Sequence, residues 1–251
     1  VVGLHWGIAG VAVGTLVAQW TGAALAFALA QLVLQREHCH TTMRAVVRSL
    51  PAWMQLFAVN RDIFLRTLCL VSVMFAFTAF GTRQGETLLA VNALLMQLFL
   101  LVSYLMDGFA YAGEALGGRF LGEGNVVAFR ALVRRLFAWG GGVAVGFVLF
   151  FLVGSTTLIA LLTDVEAVRM AAQPFLPYAI VIPLVSFSAF LFDGLFIGTT
   201  STRAMLLTVF VASAAFFLLH HFLSPSLGNH ALWCAFLLFL GLRGLVAALF
   251  L

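Results

Sequence analysis

Apolar residues run with neither strand-like alternation nor frequent polar interruption through seven stretches, near residues 8–34, 62–82, 87–117, 134–162, 170–198, 204–222 and 230–251. Each approaches or exceeds the roughly 20 helical residues that cross a hydrocarbon core about 30 Å thick. In lipid only a helix or a closed barrel satisfies every backbone N–H and C=O, and unalternating runs of this length predict helices. The pattern predicts an all-α polytopic membrane protein with about seven transmembrane helices.

Composition agrees with the pattern. The chain is 63% hydrophobic and 9% charged, against about 25% charged for an ordinary soluble domain. Its net charge of +4 comes from thirteen arginines and no lysine, so where the arginines fall matters more than their sum. Arg36, Arg44, Arg48 and Arg61 lie in the first connection, Arg119, Arg130, Arg134 and Arg135 in or beside the third, and Arg203 in the fifth, whereas the alternate connections hold only Arg83 and Arg169. Short cytoplasmic loops collect positive charge, so the first crossing is expected to start outside and the seventh to end inside. The basic excess therefore encodes topology, and a nucleic-acid partner is not expected. Arg243, near the end of the last crossing, is expected to snorkel to the surface.

Cys39, Cys69 and Cys234 are too scattered to form a disulfide framework. The run "EHCH", Glu37 to His40, combines imidazole and thiol, yet adjacent side chains on one segment converge poorly on one ion. No metal or other cofactor is expected. Nucleophile-elbow, zinc-protease and phosphate-loop motifs are absent, which argues against an enzyme.

Residues 35–61 form the widest gap between crossings. Val46, Leu50, Trp53 and Phe57 recur there at helical spacing, which suits an amphipathic helix in the membrane interface, bent or started by Pro51. Gly142 and Gly146, four residues apart, predict a close helix approach. Pro183 lies well inside the fifth crossing and predicts a kink or local unwinding.

Candidate chemistry lies with the acids inside the membrane. Placing the third crossing at 100° per residue from Asn92 puts Ser103 at about 20°, Glu114 at about 40°, Asp107 at about 60°, Tyr111 at about 100°, Tyr104 at about 120° and Gln97 at about 140°. These polar groups share one arc, directed into the bundle or a cavity. An ionisable group at the membrane centre costs about 3 kcal/mol and usually faces a pathway, a partner or water. Asp107 is deep enough to bear that cost; Glu114, five residues before Arg119, is expected to reach the interface or pair with Arg119. Asp193 has Phe190 and Phe196 as near neighbours and no basic residue within one turn, which makes it the leading candidate for ion coupling. Asp62 and Arg66, an i,i+4 pair, are expected to neutralise each other.

Four motifs, "NRDIFLRT" (60–67), "MDGFAYAGEALGGRFLG" (106–122), "FDGLFIGTTSTRAM" (192–205) and "LWCAFLLFLGLRGL" (232–245), resemble the DinF branch of the MATE (multidrug and toxic compound extrusion) family. The resemblance implies a twelve-helix transporter of two six-helix lobes. Residues 1–34 would be the last helix of the N-terminal lobe, 35–61 the cytoplasmic connection between lobes and 62–251 the C-terminal lobe, with the rest of the N-terminal lobe expected upstream. It implies a bacterial inner (plasma) membrane antiporter that exports organic cations, drugs or other toxic compounds in exchange for H+ or Na+ by alternating access. In this reading Asp193 and Asp107 serve ion coupling, and Gln97, Tyr104, Tyr111, Phe187 and Phe190 line the substrate cavity. Family members that bind sodium in this lobe also use a seventh-helix glutamate, and the corresponding stretch here, Ile63 to Phe80, holds no acid. The alternatives are a flippase for lipid-linked precursors, which requires a more basic cavity, and a non-transporting truncated subunit.

Overall fold

The computed structural model describes residues 7–36 and 50–250, and divides the chain into one unit ending at Gln55 and a second starting at Leu56. In the first unit, α1 (Gly7–Arg36) is apolar on all faces. Its threonines satisfy themselves: Thr15 donates to the Val11 carbonyl and Thr21 to that of Val17. The metal reading at residues 37–40, with Cys39, and most of the expected interfacial helix lie outside the described residues.

The described residues of the second unit form helices joined by short turns. In chain order come α2 (Leu50–Thr82, of which the part from Leu56 belongs here), α3 (Glu86–Gly122), α4 (Val126–Leu162), α5 (Glu166–Ala172), α6 (Leu176–Gly198), α7 (Thr202–Leu227) and α8 (Asn229–Ala247). Pro51 falls at the second residue of α2, where its missing N–H costs no hydrogen bond, and the helix runs on without a break. Among the described residues seven helical segments are long and apolar enough to cross a membrane, α5 and α6 forming one of them. With a hydrocarbon core for solvent, the chain is a multi-pass membrane protein.

Connections are short. Gly85 and Gly124 take φ of 102° and 68° in the α2–α3 and α3–α4 turns, a region that a Cβ disfavours. Asn125 then caps α4, its side chain accepting from the Ala128 N–H at 3.0 Å. The fifth crossing is interrupted before Pro183, and the helix does not unwind at that residue. Gln173–Phe175 is a single 3-10 turn between α5 and α6, whereas α6 continues through Pro183. Pro174 lies in that turn and Pro177 in the first turn of α6, positions where proline fits.

Helix α6 is the centre of the bundle, packed against α3, α4 and α8, and α8 packs in turn on α7. The α3–α6 contact is made by backbone: a Cβ on Gly194 or Gly198 would collide with the carbonyls of Ala110 and Glu114, and one on Gly118 would lie 2.8 Å from the Gly198 oxygen. Small residues four apart bring helices together in this way where no hydrophobic effect drives association. The expected glycine pair on α4 does not do this. Gly142 and Gly146 face open space, and it is Gly140 that meets α6, at Leu191. Toward the α2–α3 turn the core is aromatic: Trp233 meets Phe77 edge-on at 5.0 Å, and Phe236 meets Phe99 edge-on at 5.3 Å.

Candidate functional site

Within the second unit lies a cavity of about 370 Å³, whose polar lining is Arg66, Ser103, Asp107, Tyr111, Glu114, Asp193 and Arg243, over an apolar side that includes Phe99 and Phe190. The backbone approach of α3 to α6 builds one wall, because Asp193 immediately precedes Gly194 and Glu114 supplies the carbonyl that Gly198 accommodates. A second close approach brings in α8. A Cβ on Gly244 would collide with the Ser188 hydroxyl, so Arg243 is pressed toward α6.

Asp193 is the hub. Arg66 Nη2 and Arg243 Nη2 both donate to the same oxygen, Oδ2, the latter at 2.5 Å. The side chains of Arg243, Asp193 and Arg66 are only 6%, 13% and 16% exposed, so these charges are held largely out of solvent. Arg243 also lies over the rings of Phe239 and Phe190, at 5.5 and 5.9 Å from their centroids. The Nε of each arginine is buried without a hydrogen-bond partner. Asp107, Glu114 and Asp193 bring three carboxylates to the cavity against two guanidiniums, leaving one negative charge uncompensated when all five are ionised.

This geometry corrects several sequence expectations. Asp193 does not lack a cation: its partners come from α2 and α8, 127 and 50 residues away. Arg66 does not pair with Asp62. Asp62 takes Arg61 at 2.9 Å and the Thr202 hydroxyl at 3.3 Å, which leaves Arg66 to the carboxylate that has no cation on its own helix. A buried acid left alone would carry the larger penalty. Glu114 does not pair with Arg119 either. Five residues place side chains about 140° apart on a helix, whereas Arg119 and Glu123 share a face and bond at 2.8 Å. Arg243 does not snorkel.

Of the polar arc on α3, Ser103, Asp107, Tyr111 and Glu114 line the cavity; Tyr104 and Gln97, farther round the wheel, are exposed and do not. Phe190 lines it, but Phe187 packs against Phe137 and lies outside the lining. Arg66 and Arg243 are the residues that sequence reasoning set aside. Their signal was present as two arginines inside apolar crossings, each needing an anion.

A second polar cluster lies elsewhere in the lobe. Asn92 and Asn229 exchange amide hydrogen bonds at 2.9 Å, and the Trp233 indole donates to Asn92 Oδ1 at 2.9 Å. No group of three His, Cys, Asp or Glu among the described residues is arranged to hold a metal ion.

Residues 63–224 match the MatE family. The chain is 36% identical over 253 residues to DNA damage-inducible protein F of Escherichia coli (strain K12), covering 99% of this chain and 54% of that protein. It is 30% identical over 184 residues to Protein DETOXIFICATION 45, chloroplastic, of Arabidopsis thaliana, covering 71% of this chain and 32% of that protein. With Protein DETOXIFICATION 42 of the same plant it shares 27% over 191 residues, 73% of this chain and 36% of that one. The chain thus spans about half the length, or less, of the curated relatives it matches.

Proposed function

Since the chain belongs to the MatE family, we propose that it supplies the ion-coupling lobe of an efflux antiporter, exchanging H+ or Na+ for an organic cation, drug or other toxic compound at the cavity around Asp193. The observation that carries this reading is the single negative charge left over among the five ionisable groups that line the cavity. In a poorly screened site that surplus is expensive, and one added cation removes it. A proton, a sodium ion and a cationic substrate compete for the same vacancy, so admitting one displaces another.

Asp193 is the anchor in this scheme. With Asp193 ionised, Oδ2 holds Arg66 of α2 and Arg243 of α8 together. A proton or sodium ion taken up at Asp107 or Glu114, the carboxylates without a guanidinium, cancels their pull on the two arginines and leaves Asp193 to hold both. Helices α2, α6 and α8 are then held by different contacts in the two states. A ligand shifts such an equilibrium only by its difference in affinity for the two arrangements. The rest of the transporter, an N-terminal lobe against which this one rocks, completes alternating access, and kinship with the Escherichia coli protein supports the inner membrane of a bacterium as the location.

The test is gradient-driven ethidium accumulation in everted vesicles from cells expressing the gene's full coding region. An imposed proton gradient is expected to drive uptake, and Asp193→Asn to abolish it at equal expression, with Asp107→Asn reducing it. Uptake driven by sodium alone reassigns the ion. Uptake unchanged in Asp193→Asn overturns the coupling role.

The two guanidiniums, with their free Nε donors, favour one second reading: an anionic cargo such as the pyrophosphate of a lipid-linked precursor. Three carboxylates on the same wall oppose it. Transport of such a precursor, with none of ethidium, would select it.

A further inference from the structure

A larger cavity, about 700 Å³, opens where α2 ends and α7 ends, and it shares no residue with the Asp193 site. Phe80, Arg83 and Gln84 line it from the α2 side, His220, His221 and Ser224 from α7. The cationic and donor groups converge here without a carboxylate among the lining residues. His220 is the most informative of them. It is 8% exposed, its ring stacks on Phe80 at 4.1 Å with the planes 6° apart, and its Nε2 is buried with no hydrogen-bond partner. Arg83 lies 5.9 Å from the centroid of the same Phe80 ring.

A buried ring nitrogen without a partner is costly in a native fold, and since His220 is among the residues lining this cavity, a ligand there is the nearest source of one. The neighbours specify what that atom belongs to. Arg83, Gln84, His221 and Ser224 all carry hydrogen-bond donors, two of them are cationic or can become so, and the absence of an acid leaves the site complementary to negative charge. Phe217 and Pro225 add an apolar side beside these donors. The cavity lies at the ends of two helices long and apolar enough to cross a membrane, where a chain meets lipid headgroups.

We propose that this cavity binds a phosphate-bearing anion, with Arg83 as the charge partner and His220 Nε2–H as the buried donor. Two sources share that chemistry, the headgroup of an acidic phospholipid and a free phosphate. The apolar side gives a lipid an additional contact that inorganic phosphate lacks.

The test uses the purified full-length protein in a mild detergent, titrated separately with short-chain phosphatidylglycerol, short-chain phosphatidylcholine and inorganic phosphate, with thermal unfolding as the readout. Saturable stabilisation is expected from phosphatidylglycerol, with apparent affinity falling at least tenfold in Arg83→Gln and in His220→Phe, which keeps the ring stack but removes the donor. Arg119→Gln, an exposed arginine elsewhere, is the control and is expected to bind as the wild type does. Phosphatidylglycerol acting where phosphate does not identifies a lipid; equal action identifies the free anion, and both support the site. Stabilisation by phosphatidylcholine equal to that by phosphatidylglycerol, no saturable effect from either anion, or equal losses in Arg119→Gln overturns it. Unliganded unfolding curves of the three variants show whether each folds, and Arg83→Gln, at an exposed side chain, keeps the test decisive if His220→Phe does not.

Discussion

Two polar clusters in one apolar lobe solve the same problem in opposite ways. Asn92, Asn229 and Trp233 are neutral, deeply buried and mutually satisfied, each amide giving and receiving a hydrogen bond. Asp193, Arg66 and Arg243 are charged, border a cavity, and keep two donors in reserve. A closed network fastens helices in one arrangement, because any displacement breaks bonds that nothing replaces. An open, unbalanced one has alternative partners within reach. The first cluster reads as a fastening and the second as a device that changes state.

The largest effect should come from taking one arm from the charged cluster. Arg243→Met leaves Asp193 short of a cation in a poorly solvated place and is expected to cost about 3–5 kcal/mol of stability. Adding Asp193→Asn to it should recover a large part of that loss, as thermal unfolding in detergent would report. A double variant no more stable than the single one would mean that Arg243 matters for packing rather than for charge. Next comes the backbone contact that builds the site. Gly194→Ala puts a methyl group into the Ala110 carbonyl, which cannot turn aside, and should cost about 3 kcal/mol together with transport. The neutral cluster should respond differently. Asn229→Leu strips a partner from Asn92 and is expected to cost about 1–3 kcal/mol while leaving the coupling ion unchanged in the vesicle assay. An altered ion preference in that variant would erase the distinction between fastening and switch. The smallest change is Gly142→Ala, which meets open space and should alter the unfolding temperature little, with at most about 1 kcal/mol gained from helix propensity.

The crossings were legible because hydropathy is a property of consecutive residues, and each helix announces itself within its own sequence. The α3 wheel put Ser103, Asp107, Tyr111 and Glu114 on a common side correctly. It could not tell that Tyr104 and Gln97, only slightly farther round, lie beyond the edge of the cavity, since that edge is drawn by other helices. Charge pairing was hidden for a sharper reason. A neighbour at i,i+4 is visible in the sequence and one 127 residues away is not, so Asp62 stood in for Asp193 as the partner of Arg66. The same local habit assigned Glu114 to Arg119 and released Arg243 to the surface. Membrane charges reward a different question: which acids and bases have no adequate partner on their own helix, and how many of each there are. By that count Asp193, Arg66 and Arg243 belong together.

The distance along the chain between Arg66 and Asp193 also sets an order of events during synthesis. A ribosome adding about 5–20 residues per second needs roughly 6 to 25 s to make the 127 residues between them. Throughout that interval Arg66 sits in the newly inserted α2 without its anion, and Asp62, one turn away, is the carboxylate nearest to it in sequence. Arg243 arrives 50 residues after Asp193, on the final described crossing. The cluster therefore closes only when α8 enters, and until then a carboxylate and a guanidinium wait in the membrane without all their partners.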